Sequence, residues 1–132
     1  MKPFLKWAGG KRQLMPFISE FINKNSVSNK RYFEPFIGGG SVFFNLQCPK
    51  ATICDLNEEI INCYNVIKEN SDELIVLLKK HKKNHCKEYF YKIRELDRKP
   101  NIFNKLTNVE KAARTLYLNR TCYNGLYRVN LS

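Results

Sequence analysis

No apolar run in this chain approaches the ~20 residues needed to cross a bilayer as a helix. The first residues are basic but lack the 7–15-residue apolar stretch, roughly, of a secretory signal. Cysteine occurs five times (Cys48, Cys54, Cys63, Cys86, Cys122), an odd number, and never as C-x-x-C. That arithmetic suits neither a disulfide framework nor a structural zinc site, so reduced thiols in a cytoplasmic protein are expected. Acidic residues are also scarce: 12 Asp and Glu face 23 Lys and Arg, a formal charge of +11. Five prolines occur and no two are adjacent.

Hydrophobic residues make up 43% and aromatics 13% of the 132 residues. A disordered basic tail would be poor in both, so a packed chain of one domain, or one and part of a second, is expected. The positive excess points to a polyanion, most often nucleic acid. The densest run is Lys79-Lys80-His81-Lys82-Lys83; a solvated helix end favoured by the helix dipole and a phosphate contact both explain it. His81, His85 and Cys86 share a helical spacing but lack a fourth ligand, so no metal site is expected.

Along the chain, Leu14, Met15, Ile18, Phe21 and Ile22 recur at helical spacing after a Gly-Gly turn, with Pro16 tolerable near the first turn. Residues 23–30 read as polar loop. Residues 31–36 read as a short strand stopped by Gly38-Gly39-Gly40, residues 41–47 as a helix, and residues 51–55 as a second strand ending in an acid. Four helical patterns follow. Asn57 caps the first; Ser71 opens the second, with Leu74, Ile75, Leu77 and Leu78 inward. The third ends before Pro100, and Thr107-x-x-Glu110 forms a capping box for the fourth. The predicted division is an α/β portion, residues 1–56, and a helical portion, residues 57–132.

Strand, glycine bend, helix, strand and acid is the order of a nucleotide-binding β-α-β half. Asp55 follows Gly38 by seventeen residues, near the spacing at which a carboxylate takes a ribose diol. Glu34, just before the glycines, would join Asp55 in repelling a pyrophosphate at the following helix. A cationic cofactor with an adenosine and no phosphate fits better, and S-adenosyl-L-methionine is such a molecule. An ordinary glycine turn with an exposed acid is the plain alternative.

Three segments together resemble the Dam-type DNA adenine-N6 methyltransferases that recognise GATC: residues 4–11 (FLKWAGGK), 33–41 (FEPFIGGGS) and 119–130 (NRTCYNGLYRVN). The resemblance implies a partial Rossmann-like S-adenosylmethionine-dependent methyltransferase domain (residues 1–56), followed by a mainly helical target-recognition domain (residues 57–132) whose hairpin is cut short. It implies cofactor contacts from Trp7, Lys11, Glu34, Pro35, Phe36, Gly38, Gly39, Gly40 and Asp55. It implies contacts to double-stranded DNA from Lys6, Asn119, Arg120, Tyr123, Asn124 and Arg128, with Lys6 and Arg128 reading guanines and Tyr123 and Asn124 inserting beside the target base pair. Arginine suits guanine O6 and N7, and an aromatic at a tight turn suits a wedge between bases.

The family's catalytic Asp/Asn-Pro-Pro-Tyr motif has no counterpart here, since no prolines adjoin. The expectation is therefore the front part of an adenine-specific DNA methyltransferase, to be completed by a carboxy-terminal half and inactive without it. A non-catalytic DNA-binding remnant and a basic helical interaction protein are the alternatives.

Overall fold

The computed structural model describes residues 2–24 and 30–123. Two compact units divide the chain, residues 1–56 and 57–132.

The first unit opens with a 3₁₀ turn, Lys11–Leu14, that runs into α1, Met15–Lys24. Pro16 sits in the first turn of α1, where its missing N–H costs nothing. β1 (Tyr32–Glu34) and β2 (Ala51–Ile53) form a two-stranded parallel sheet joined through α2 (Ser41–Leu46). The register pairs Tyr32 with Ala51, Phe33 with Thr52 and Glu34 with Ile53. Hydrogen bonds from Cys54 N–H to Glu34 O (2.8 Å) and from Ile37 N–H to Cys54 O (2.9 Å) carry the pairing past the strand ends. Leu5, Met15, Ile37 and Val42 are the buried apolar side chains of this unit. The result is a β-α-β element with a small sheet, the coarse form of the expected α/β architecture.

The bend between β1 and α2 depends on two of its glycines. Gly38 has φ +49°, and a Cβ there would lie 3.3 Å from Trp7 Cδ1. A Cβ on Gly39 would come 3.0 Å from the backbone oxygen of Leu5, an approach that a larger residue could make only by moving the chain.

The second unit is wholly helical among its described residues. α3 (Glu58–Glu69) is capped by Asn57, whose Oδ1 accepts from Glu59 N–H (3.0 Å) and Ile60 N–H (3.3 Å). α4 (Ser71–Lys83) and α5 (Lys87–Arg94) follow, then a 3₁₀ turn, Glu95–Arg98. α6 (Pro100–Phe103) precedes α7 (Asn108–Thr121). The expected capping box is formed: Glu110 N–H donates to Thr107 Oγ1 (3.2 Å) and Thr107 N–H to Glu110 Oε2 (2.8 Å).

α7 is the spine of this unit and packs against α3, α4 and α5. Ala112 and Ala113, both fully buried, let α3 come close, with Cys63 Sγ 3.9 Å from Ala112 O, while Leu118 packs with Ile93 and Tyr117. Burial lifts the Cys63 thiol to about 12, with the Glu59 charge adding, so this cysteine is a small core residue.

Several sequence expectations are corrected. Pro100 stops the third helix but also starts α6, because a proline at the first helical position loses no bond. Ile75 and Phe21, expected inward, are exposed. Residues 119–121, expected in a polar hairpin stretch, belong to the last turn of α7. Residues 124–130 of the 119–130 segment lie outside the described residues.

Candidate functional site

Parallel pairing sends the C-terminal ends of β1 and β2 the same way, and ligands of open α/β sheets bind at those ends. Glu34 closes β1 and Asp55 stands two residues beyond β2. Both carboxylates line one cavity of about 200 Å³. The 7–11 segment, with Trp7 and Lys11, also lines it, and Phe36, Ile37, Gly38, Gly39, Ser41 and Val42 complete the lining. Of the nine residues expected to contact a cofactor, seven share this cavity: Trp7, Lys11, Glu34, Phe36, Gly38, Gly39 and Asp55. Pro35 and Gly40 belong to the same loop but do not line it.

Each charged group is held. Glu34 is only 6% exposed. Its Oε2 accepts from the Tyr32 hydroxyl at 2.6 Å, and its Oε1 lies 3.5 Å from Lys11 Nζ. Lys11 Nζ also donates to Phe36 O at 2.9 Å, so one ammonium ties the carboxylate to the loop after it. Burial, then the hydrogen bond and charge of Glu34, drive the Tyr32 phenol well above its ordinary value, so it remains a donor to the carboxylate. Asp55 Oδ2 accepts from Gly38 N–H at 2.8 Å and so braces the glycine bend.

The lining therefore carries two carboxylates against one ammonium, a single net negative charge. That balance favours a cationic or hydroxylated ligand over a pyrophosphate, though less steeply than two unopposed acids would. Tyr32 was missed from sequence; two residues before Glu34, it lies on the same strand face, so period-two alternation points to it.

The helical unit holds a different polar centre, also missed. Arg114 is 1% exposed at the middle of α7. Its guanidinium meets Asp97 at 3.1 Å and Glu59 at 3.4 Å, and donates to Ile93 O (3.0 Å) and Arg94 O (2.9 Å). Phe103 lies under it, 5.3 Å from ring centre to Cζ. Burial raises the Glu59 carboxyl above its ordinary value, with the Arg114 charge opposing. This network joins α3, α5, the following 3₁₀ turn and α7, and its role is structural.

Of the residues expected to meet DNA, Lys6 and Arg120 are exposed and Tyr123 is 89% exposed. Asn119 differs: it is buried on the inner side of α7, which an extension of the helix to Thr121 turns inward. Asn124 and Arg128 lie outside the described residues. The two histidines of the lysine run face tyrosines. His81 Nδ1 is 2.8 Å from Tyr89 OH and His85 Nδ1 is 2.9 Å from Tyr117 OH. Among the described residues no group of three His, Cys, Asp or Glu is placed to hold a metal ion, and no helix is long and apolar enough to cross a membrane.

The family model of D12 class N6 adenine-specific DNA methyltransferases matches residues 7–132. The chain belongs to this family. Among curated relatives, it is 48% identical over 130 residues to the Type II methyltransferase M1.LlaDCHI of Lactococcus lactis subsp. cremoris, covering 98% of the chain and 44% of that protein. It is 42% identical to the Type II methyltransferase M.MjaIII of Methanocaldococcus jannaschii, covering 98% and 49%. It is 37% identical to the DNA adenine methylase of Escherichia coli K12, covering 98% and 44%. The chain thus spans about half the length of these relatives, and the carboxylate-lined cavity lies within the matched residues.

Proposed function

We propose that this chain supplies the cofactor-binding and part of the DNA-binding apparatus of an adenine-N6 DNA methyltransferase that uses S-adenosyl-L-methionine, with GATC as the target. The observation that carries the reading is the shared cavity of Glu34 and Asp55 at the ends of two parallel strands, beside a glycine bend.

The residues fit that donor. The net negative lining suits its positive charge, and a carboxylate at the end of β2 suits a ribose diol. Trp7 offers an aromatic face, to which a cation is drawn. The cavity is smaller than the ~300–1,000 Å³ of pockets that enclose a whole small molecule, so it holds part of the donor. When bound, the sulfonium supplies an electrophilic methyl group. In this reading Glu34, steadied by Tyr32 and Lys11, and Asp55, steadied by Gly38, orient the donor. Lys6, Arg120, Tyr123, Asn124 and Arg128 engage the duplex, with Lys6 and Arg128 on guanines. The amide or acid that would accept from the adenine amine belongs to the Pro-Pro motif, and this sequence contains no adjacent prolines. The 132-residue chain alone is therefore expected to bind without transferring methyl groups.

Trp7 is the single tryptophan, so its fluorescence reports the cavity directly. Titration with S-adenosylmethionine or S-adenosylhomocysteine should change that fluorescence. Asp55→Asn and Glu34→Gln should each weaken the response about tenfold, the loss of one charge-assisted contact. A flat titration, or tighter binding of ATP than of either compound, overturns the reading. Methyl transfer by the purified chain to a GATC duplex would overturn the expected inactivity alone.

A further inference from the structure

The C-terminal end of α4 carries Lys79 and, in its last turn, Lys80, Lys82 and Lys83, all exposed. At 3.6 residues per turn they fan over about 160° of the helix surface, with His81 opposite the middle of the fan. His81 alone of the run turns inward. Its ring stacks on Tyr117 of α7 at 4.9 Å between centroids and 20° between planes, while Tyr89 of α5 holds its Nδ1. His85 in the following loop meets the Tyr117 hydroxyl. The lysine-bearing helix end is thereby fastened to the stretch of α7 that leads to exposed Arg120 and Tyr123.

The charge is not offset locally. Between residues 74 and 94 the sequence has seven Lys and Arg and a single acid, Glu88. None of the four lysines joins an ion pair among the described residues. The acids of α4, Asp72 and Glu73, are in its first turn, at the far end from the lysines. A helix C-terminus favours one or two cations through its dipole. Four spread over half the helix girth, on an end pinned by aromatic contacts, exceed that need.

We propose that the α4 end, Lys79, Lys80, Lys82 and Lys83, is a sequence-independent clamp on the phosphate backbone of duplex DNA, separate from the residues that read bases. This rests on the reading of the chain as a DNA-binding part. Phosphate contacts fix position and register while carrying no sequence information. The four ammonium groups are point charges on flexible stems, suited to that task.

The test compares the unaltered chain with a variant carrying Lys79→Gln, Lys80→Gln, Lys82→Gln and Lys83→Gln, using duplexes with and without GATC at several salt concentrations. The plot of log affinity against log salt should become shallower by about 2–4, near one for each phosphate no longer neutralised. Affinity at about 0.1 M salt should fall about 10–100-fold, equally for both duplexes, while Trp7 fluorescence titration with S-adenosylhomocysteine is unchanged. The matching four Lys→Arg changes should restore the slope, and Lys68→Gln, on an exposed lysine of α3, should leave it alone. An unchanged slope in the Gln variant reduces the lysines to a solvated helix end and overturns the proposal only. A fall in affinity confined to the GATC duplex, or seen with single strands and not duplex, also overturns it. Failure of the unaltered chain to bind any duplex overturns both this proposal and the DNA-binding reading beneath it.

Discussion

The two units solve the problem of folding a short segment in opposite ways. The helical unit is built around one helix, α7, and buries Ile60, Cys63, Ala112, Ala113, Arg114 and Leu118 almost completely. The α/β unit buries few apolar side chains and exposes Phe17, Phe21, Phe33 and Phe36. Parallel sheets are normally covered on both faces, yet Phe33 stands exposed on this one. The carboxylate cavity lies in the unit with the smaller core. What holds the cavity in shape is therefore a few specific contacts in place of a large core: a tight glycine bend, a braced Asp55 and the Tyr32–Glu34–Lys11 chain of contacts. The helical unit instead depends on long-range burial. Damage to each should have a different signature.

The largest effect is expected at Arg114. Replacing it with methionine leaves Glu59 and Asp97 without their cation and takes the guanidinium donors away from the Ile93 and Arg94 carbonyls, a loss of about 3–5 kcal/mol for a broken buried ion network. Against the 5–15 kcal/mol or so that stabilises ordinary domains, that should lower the temperature at which the helical unit unfolds by more than about 10 °C. Circular dichroism should record the lost helicity. Retained cooperative melting within a few degrees of the unaltered chain would show that the network contributes little.

Next comes Gly39→Ala. Its added methyl group meets the Leu5 carbonyl at 3.0 Å, and backbone cannot swing away as a side-chain tip can. A cost of about 1–3 kcal/mol is expected, as for overpacking elsewhere. It should fall on the α/β unit alone, shifting Trp7 emission while the helical signal at 222 nm persists. Simultaneous loss of both signals would contradict this expectation.

Thr107→Ala removes half of the capping box and should cost about 1 kcal/mol, seen as a lower melting temperature of the helical signal. Trp7 emission should not follow it.

The smallest effect is a pH dependence. His81 sits among Tyr89, Tyr117, His85 and Lys80, and burial, with the Lys80 charge second, lowers its pKa below the ordinary 6.5. The unfolded chain then takes up a proton more readily than the folded one. The stability held by neutral His81 is complete above pH 6.5 and is lost as pH falls toward the lowered value. Glu59 acts oppositely in the carboxylate range, because its raised value favours the protonated folded state on acidification. Melting of the helical unit between about pH 7.5 and about pH 5.5 should therefore show a decline that His81→Gln flattens. A decline of equal size in that variant would assign it elsewhere.

The sequence was most informative where partners are near neighbours. Asn57 and Thr107 identified two helix starts because a cap reaches only two or three residues along the chain. The placement of Glu34 and Asp55 at strand ends followed from a β-α-β order that parallel pairing makes obligatory. Arg114 could not be read the same way. It stands in an alternating apolar stretch of α7, and its partners are 17 to 55 residues distant: Asp97, Arg94, Ile93 and Glu59. The histidines at 81 and 85 were read as candidate ligands or solvated side chains, because nothing local reveals Tyr89 and Tyr117 as their partners. The burial of Asn119, which the resemblance puts among the DNA contacts, had no local sign either, because the box at Thr107 marks where α7 begins and no comparable signal marks Thr121 as its end.

Composition, periodicity and short motifs thus settled which segments are helical, where the chemistry-bearing acids stand and which family the chain resembles, since each depends on interactions spanning a few residues. The burial of Arg114, the turning of His81 away from its lysine neighbours and the holding of Glu34 by Lys11 were set by folding in space. There, desolvation and geometry act between residues whose separation along the chain carries no mark of their contact.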